Sequence, residues 1–399
     1  MEKDNIKTDK IRCTYCGNNP VPHLFTKFDS FMAINMVNFG ILFFSSAIGR
    51  WSASFVNKLL VFVSKPFLFI GLLKFNNDPK NILNRRGQVL WEEANKRGIK
   101  MQNFRFLNKN MDLYRARVLG KTLYFEGLPR VGEDHASLVW MDDKAILKER
   151  LERAGVSVSR GGSFSDFEVM RKKFLEINKP VIVKPRLGSR GRHTTTFIYN
   201  ENDLRKAYKI AKQLCHYVII EEHLEGSVYR GTVIDGKLVG VLGGDPPRIT
   251  GDGKYSINEL IKIKNENKIV GVSDFEIKDA THEFLKRQGY NIGTILLEGQ
   301  TIDLTEKIGV SYGGMSVEVT DITHPEIKKA LEHAGRVVND PILGFDFIIK
   351  DVTLDPKEQK WGIIECNAVP FINLHHDPMI GKPVNVAGKV WDYVEKEMK

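Results

Sequence analysis

The sequence predicts an α/β protein of two or three domains, and three observations support this. At about 100 to 200 residues per domain, a chain of 399 residues, 42% of them apolar, has room for two or three domains with a core each. From about Asn76 onward, helix-like and strand-like patterns alternate and are separated by turn residues. Four cysteines are too few for a disulfide-stapled miniprotein. Such miniproteins, collagen-like repeats and intrinsic disorder are therefore excluded.

The charge balance suits an anionic partner. Fifty-nine Lys and Arg against 49 Asp and Glu give a formal net charge of +10, which fits a nucleotide, a nucleic acid or a membrane surface. Because the basic residues are dispersed along the chain, nucleic-acid binding ranks lowest, and we expect no nucleic-acid partner. The charged residues 1–10 show no secretory leader pattern, and the few cysteines suit a reducing compartment. We expect a cytoplasmic protein, with contact to a membrane periphery as the reservation.

A Cys-x-x-Cys turn lies near the N-terminus. Cys13 and Cys16 have the spacing with which two thiolates bind a tetrahedral zinc ion, and His23 follows. Only half of a zinc ribbon is present, so a fourth ligand would have to come from a distant histidine or from another subunit. Structural zinc therefore competes with a plain turn that holds two free thiols and with a redox pair.

An apolar segment covers residues 30–75. Its first 20 residues are uncharged, which is about the length that crosses a bilayer. Every charge inside the segment is a Lys or an Arg, as a contact with anionic lipid head groups would need. Three interpretations stay open: packing against the chain's own core or a second subunit, an interfacial anchor, and a membrane span. We expect a homo-oligomer.

A small α/β domain is predicted next, over residues 76–140. Residues 88–97 have the spacing of an amphipathic helix that ends at Gly98. Two strands, 114–118 and 122–125, follow, with a hairpin-like turn around Gly120 between them. This region carries no motif of known chemistry.

Two lysines and a basic glycine-containing loop could meet the phosphates of a nucleotide. Lys144 lies in the first turn of a helix that Asp142 is expected to cap. Lys184 ends a short apolar strand, and residues 186–193 follow with two glycines among three arginines. Backbone N–H groups and cationic side chains can bind triphosphate oxygens together. The loop lacks the spacing of a P-loop, so a solvated basic turn stays the alternative.

A second apolar strand ends in Glu221 and Glu222. Burial of a lone carboxylate is expensive, so Glu221 is expected either to pair with Lys184 or to accept a hydrogen bond from a ligand amine such as an adenine N6.

The sharpest constellation lies near the C-terminus. Residues 345–349 and 362–364 read as strands, and Glu365 and Asn367, two positions apart, point to one face of the second strand. If the strands are antiparallel neighbours, Asp346 joins them in an oxygen-only ligand set that suits Mg²⁺. A solvated strand end with an Asx turn is the other interpretation.

The order of these parts resembles the ATP-grasp ligases over roughly residues 140–393. The closer resemblance is to the ATP-grasp module of cyanophycin synthetase and to that of the bifunctional glutathione synthetases. It is carried by Tyr229-Arg230, Asp235-Gly236-Lys237, Asp245-Pro246-Pro247, Gly251-Asp252-Gly253, Gly313-Gly314, Val319-Thr320-Asp321, His324-Pro325 and Gly344-Phe345-Asp346.

The resemblance implies an α+β fold and a ligase activity. A two-lobed nucleotide-clasping domain, 141–399 with a division near residue 225, would follow the segment 1–75 and the domain 76–140. ATP would phosphorylate a substrate carboxylate, an amine would attack the acyl phosphate, and ADP and phosphate would be released. The carboxylate and the amine would be small molecules, amino acids or peptides.

Residue roles are also implied by the resemblance. The nucleotide contacts would be Lys144 and Lys184 for the α and β phosphates, the loop of Gly188, Ser189, Arg190, Gly191 and Arg192 for the γ-phosphate, Glu221 for the adenine amine, and the backbones of Glu222 and Leu224 for the ring. A pair of Mg²⁺ ions would be bound by Asp346, Glu365 and Asn367. The acyl phosphate would be neutralised by Arg230 or Arg248, beside Lys184.

Three positions depart from the family pattern. Val228 stands where an acidic residue grips the ribose, Arg192-His193 replaces a basic residue followed by glycine, and Tyr312 replaces a small residue. Beyond the metal motif, His375 or His376 could deprotonate the amine, although an ordinary hydrogen-bonded loop is the other interpretation. A second functional hypothesis is therefore a catalytically reduced nucleotide-binding module, recruited to a membrane or a partner through its N-terminal region.

Overall fold

The structure is a computed structural model, and it describes residues 13–16, 20–45, 72–82, 84–132, 136–188, 191–268, 272–305 and 313–399. The chain divides into two compact units. The first unit comprises Met1–Ala33, Arg160–His223 and Pro246–Ile308. The second comprises Ile34–Ser159, Leu224–Asp245 and Gly309–Lys399.

The elements are numbered along the chain. The helices are α1 (His23–Ser45), α2 (Arg85–Lys96), α3 (Lys144–Arg153), α4 (Phe167–Glu176), α5 (Glu201–Ala211), α6 (Ile257–Glu266), α7 (Asp279–Arg287), α8 (Pro325–Val338), α9 (Asn373–His376) and α10 (Val386–Met398). The strands are β1 (Leu73–Asn76), β2 (Lys100–Phe106), β3 (Lys109–Val118), β4 (Lys121–Glu126), β5 (Gly161–Phe164), β6 (Val181–Pro185), β7 (Thr195–Ile198), β8 (Val218–Glu222), β9 (Ser227–Ile234), β10 (Lys237–Asp245), β11 (Arg248–Thr250), β12 (Thr301–Asp303), β13 (Met315–Glu318), β14 (Ile342–Ile349) and β15 (Gly362–Asn367).

The first unit is built on an antiparallel sheet of four strands in the order β5-β8-β6-β7. Alternate residues of β6 and β8 enter one core with the apolar faces of α4 and α5, among them Val181, Val183, Val218 and Ile220. Because side chains alternate along a strand, Lys184 is directed to the other face of this sheet. A second, two-stranded sheet, β11-β12, packs with α6 and α7 in a core of its own.

The second unit contains two antiparallel sheets. Strands β1 to β4 form one in sequence order, and the predicted hairpin of the small domain is β3 and β4. Helices α2 and α10 cover this sheet with a core that includes Trp91 and Trp391. The larger sheet has the order β13-β10-β9-β14-β15, and its core against α3 and α8 includes Phe345 and Phe347.

A β-bulge interrupts the pairing of β14 with β15. Asp346 lies opposite Glu365, but the next pair joins Phe347 to Ile363, so Ile364 has no partner across the ladder. In an uninterrupted strand, Ile363 would share a face with Glu365. The bulge instead turns Ile363 into the core beside Phe347 while Glu365 keeps the face of Asp346.

The cap of α3 differs from the sequence prediction by one residue. The side chain of Asp143, not that of Asp142, accepts hydrogen bonds from the backbone N–H groups of Ala145 and Ile146, at 2.9 and 3.3 Å. Asp142 accepts instead from the backbone N–H of Ala368 at 3.3 Å. Lys144 lies in the first turn of the helix, as predicted, but the predicted cap Asp142 is wrong, since Asp143 is the capping residue.

Helix α1 covers only part of the apolar segment 30–75, since residues 46–71 lie outside the described residues. Within the described parts of the chain, no helix combines the length and the apolar character needed to cross a membrane. The N-terminal half of α1 exposes large apolar side chains, with Leu24, Phe25 and Phe28 more than half exposed.

Candidate active site

One row of charged residues crosses three strands of the second unit's larger sheet. Arg230 on β9 lies opposite Asp346 on β14, which lies opposite Glu365 on β15. The Arg230 guanidinium donates to both carboxylate oxygens of Asp346, from Nε at 2.6 Å and from Nη2 at 2.7 Å. This bidentate pair fixes the orientation of both side chains. The strands that hold Asp346 and Glu365, β14 and β15, are therefore antiparallel neighbours, the condition for a shared metal site.

Lys144 and Asn367 complete this row. The Lys144 ammonium lies 3.5 Å from a Glu365 carboxylate oxygen, and Lys144 is itself buried. The Asn367 amide nitrogen lies 3.5 Å from Asp346 Oδ2. Two carboxylates and one side-chain amide thus gather at one edge of the sheet, with Arg230 beside Asp346 and Lys144 beside Glu365. Carboxylate and amide oxygens are ligands that suit Mg²⁺.

The electrostatics of the row also suit a divalent cation. Burial raises the pKa of the Asp346 carboxyl to about 6, the neighbouring Glu365 adds to the rise, and the Arg230 guanidinium opposes it. Burial opposes the charge of Arg230, but the Asp346 carboxylate outweighs it and raises the pKa of the guanidinium. Arg230 therefore stays a cation, and a metal ion shared by Asp346 and Glu365 would remove the repulsion between them.

A buried ion pair lies in the first unit. Lys184 on β6 donates a hydrogen bond to Glu221 on β8. The expected pairing of Glu221 with Lys184 is therefore present. The register places Lys184 opposite Ile219, so Glu221 is its diagonal neighbour on the same face. The accepting atom is Oε1 of Glu221. The backbone N–H of the adjacent Glu222 donates to the Arg160 carbonyl at 2.9 Å.

The loop after β6 requires glycine for its backbone. Gly188 has φ +125° and Gly191 has φ +61°, a left-handed region that other residues adopt at a cost. Ser189 and Arg190 lie outside the described residues. Arg192 is half-buried at the end of this loop.

The remaining residues of the sequence prediction are placed as follows. Arg248, at the start of β11, pairs with the Asp303 carboxylate across the two-stranded sheet of the first unit. Leu224 is buried. The structure brings Cys13, Cys16 and His23 together, and adds His193, which the sequence analysis noted only as a departure from the family pattern.

His375 is part of a buried hydrogen-bonded network. Its Nδ1 lies 2.7 Å from a Glu318 carboxylate oxygen and its Nε2 lies 2.8 Å from the Thr232 hydroxyl. The ring is fully buried, and a Cβ on Gly240 would lie only 2.6 Å from it. This environment favours a hydrogen-bonded structural role over that of a catalytic base, although His375 lies in the short helix α9 and not in a loop.

Replacing His375 with Ala is expected to lower the free energy of unfolding by about 2 to 4 kcal/mol, because Glu318 and Thr232 would lose their buried partner. Urea denaturation measures this, with His282→Ala, exposed on α7, as the control. If instead the variant unfolded like wild type and lost turnover with an altered pH profile, His375 would be a base.

No protein-family model matches the chain. Among curated proteins, cyanophycin synthetase from Synechocystis is 29% identical over 286 residues, which are 69% of this chain and 33% of that protein. The bifunctional glutathione biosynthesis protein GshAB from Clostridium perfringens is 28% identical over 315 residues, 76% of this chain and 40% of that protein. The chain thus spans well under half the length of these relatives.

A solved structure agrees with these relatives. The bifunctional glutathione synthetase of Pasteurella multocida matches with a TM-score of 0.54 and 25% sequence identity, over 80% of this chain and 44% of that one. The resemblance found in the sequence is confirmed: cyanophycin synthetase and the bifunctional glutathione biosynthesis protein are among the relatives of this chain.

Proposed function

We propose that the chain joins a carboxylate to an amine at the expense of ATP, through an acyl phosphate. The observation that carries this proposal is the row of Arg230, Asp346 and Glu365 on three adjacent strands, in a chain related to synthetases. An amino acid or a peptide is the proposed substrate class, since the resemblance is to synthetases of that kind.

Asp346, Glu365 and Asn367 would hold a pair of Mg²⁺ ions, whose chemistry is to neutralise the phosphates and orient the γ-phosphoryl group. The site fits such ions, because its donors are oxygens and the half-buried Glu365 carboxylate adds to the raised pKa of the buried Asp346 carboxyl. Lys144, 3.5 Å from Glu365, would hold a phosphate at the same edge.

Lys184 and the loop 188–192 would bind the remaining phosphate oxygens. Glu221, which accepts a hydrogen bond from Lys184, would accept a hydrogen bond from the adenine amine as well. The backbones of Glu222 and Leu224 would meet the adenine ring. Because Val228 stands where the family has an acidic residue, the ribose would either lack this contact or bind Glu225 instead.

In the proposed reaction a substrate carboxylate oxygen bonds to the γ-phosphorus while the bond to the ADP oxygen breaks. The amine nitrogen then bonds to the acyl carbon, phosphate leaves, and the amine gives up a proton. Arg230, held by Asp346, or Arg248, held by Asp303, would neutralise the acyl phosphate. Such positioned charge dominates phosphoryl transfer.

Three further proposals concern the surroundings of the enzyme: a cytoplasmic location, a homo-oligomer, and contact of residues 30–75 with a membrane surface. The exposed apolar side chains of α1 support a surface contact of some kind. Flotation with anionic vesicles and light scattering of the purified protein would separate a lipid contact from a subunit contact.

The activity is tested by ADP and phosphate release from purified protein with Mg²⁺ and ATP, against pooled amino acids, dipeptides and a small-molecule extract. We expect substrate-dependent release that Glu365→Ala abolishes, with a product lighter by one water than its two precursors. Tight ATP binding without release in any pool would instead support the catalytically reduced, recruited module.

A further inference from the structure

Four side chains of the first unit converge within one small volume. The Sγ atoms of Cys13 and Cys16 and the ring nitrogens of His23 and His193 all lie within 4.8 Å of one another. We propose that these four residues bind one structural Zn²⁺ ion, and that this ion fastens the N-terminal segment to the end of the loop 188–192.

The distances match a tetrahedral site. With Zn–S bonds of about 2.3 Å and Zn–N bonds of about 2.0 to 2.1 Å, a sulfur and a nitrogen ligand of one tetrahedral ion lie about 3.5 Å apart. The Nε2 of His193 lies 3.5 Å from Cys13 Sγ and 3.4 Å from Cys16 Sγ, and the Nε2 of His23 lies 3.3 Å from Cys16 Sγ. The ligand atoms are therefore already at the spacing of a metal centre.

His193 is oriented as a zinc ligand. Its Nδ1 lies 2.8 Å from the backbone carbonyl of Ile210, on α5. A carbonyl can only accept, so Nδ1 carries the proton and Nε2 keeps its lone pair toward the two cysteines. Such a backbone acceptor behind the ring is the usual support of a metal-bound histidine.

Backbone hydrogen bonds hold Cys13, Cys16 and His193 in this arrangement. The Cys16 N–H donates to the Cys13 carbonyl at 3.1 Å, which closes the turn, and the His193 N–H donates to the Tyr15 carbonyl at 3.2 Å. His193 has φ +54°, a left-handed conformation that persists where its surroundings enforce it. Cys16 and His193 are each 1% exposed, and Cys13 and His23 are half-buried.

Zinc is the ion that this donor set selects. Two thiolates and two imidazoles in tetrahedral array exclude Mg²⁺ and Ca²⁺, which take oxygen ligands. All four protein ligands are present, so no position is left open for a substrate or a water, as in structural rather than catalytic zinc sites.

The site has a consequence for the loop, and this consequence rests on the proposed function. His193 follows Arg192 directly, so a bound ion fixes the C-terminal end of the loop that would close over the γ-phosphate. Loss of zinc is therefore expected to raise the KM for ATP more than it lowers kcat, since the Mg²⁺ row lies on other strands.

The first test uses untagged wild-type protein. About one zinc ion per chain is expected by elemental analysis, and a mercurial thiol reagent should release it in step with the modification of two thiols. Cobalt substitution should give visible bands of a tetrahedral site and thiolate-to-cobalt charge transfer. Zinc-free protein that fails to bind added Zn²⁺ or Co²⁺, with Cys13 and Cys16 free to react, would overturn the proposal.

Variants assign the ligands. Cys13→Ser and His193→Ala should each weaken zinc binding at least tenfold, whereas Cys215→Ser and His216→Ala, changes in the same unit but outside the cluster, should leave it unchanged. Full zinc binding by His193→Ala would overturn the assignment of the fourth ligand. Zinc content does not depend on turnover, so protein that holds zinc without forming ADP would sink the proposed function and leave the zinc site standing.

Discussion

Replacing Glu365 with Gln is expected to lower kcat/KM for Mg²⁺-dependent ADP formation by about 10²- to 10³-fold. Glutamine keeps the size of the side chain but removes one of the two carboxylates that would share the metal ion. Lys144, 3.5 Å from Glu365, would lose its anionic partner at the same time. The measurement is a coupled assay of ADP release at several Mg²⁺ concentrations.

The stability of the same variant separates a metal ligand from a structural acid. Glu365 contributes to the rise in the pKa of Asp346, so its neutralisation relieves a repulsion and is expected to leave the free energy of unfolding within about 1 kcal/mol of wild type. Glu358→Gln, exposed just before β15, is the control for both assays. Normal Mg²⁺ dependence in Glu365→Gln would rule out the metal role.

Replacing Lys184 with Met is expected to weaken ATP binding by about 10²-fold, since a charge-assisted contact of this kind contributes about 2 to 4 kcal/mol. Methionine preserves most of the length and the apolar stem but carries no charge. Because Lys184 is buried against Glu221, the variant also leaves a carboxylate without its cation, and a loss of stability is expected as well. Calorimetric titration with ATP and urea denaturation measure the two effects.

A double variant distinguishes these effects. Lys184→Met combined with Glu221→Gln removes both charges, so stability should return toward wild type while ATP binding stays weak. Lys206→Met, on the exposed side of α5, serves as the control. If the double variant bound ATP as wild type does, Lys184 would act only as the partner of Glu221.

Local sequence patterns were sufficient to predict much of the candidate site in the second unit. The two-residue spacing of Glu365 and Asn367 predicted that both side chains lie on one face of their strand. The apolar residues around Asp346 predicted a second strand, which could lie beside the first. Strand register was beyond prediction, because which residue of β9 lies opposite Asp346 depends on the whole sheet. The bulge at Ile364 was missed for the same reason, since nothing in the run Gly362–Asn367 marks it.

The cluster of Cys13, Cys16, His23 and His193 could be predicted only in part from local sequence. The Cys-x-x-Cys spacing and His23 were visible locally, but His193 lies 180 residues from Cys13, and only a folded chain brings them together. A signal did exist: His193 stands where the family places a glycine, and its left-handed backbone is a conformation that glycine adopts freely. A histidine at a position where relatives have glycine is therefore a candidate metal ligand.

The bulge in β15 has a consequence for how this protein can change. In a regular strand, Ile363 and Glu365 would share one face of the sheet. A mutation of Ile363 would then change the surroundings of the Glu365 carboxylate. Since the bulge sends Ile363 to the core and leaves Glu365 beside Asp346, a mutation that repacks the interior at Ile363 need not change the proposed metal ligands. A library that varies residue 363 among apolar side chains should therefore yield folded proteins in which Asp346 and Glu365 still face each other.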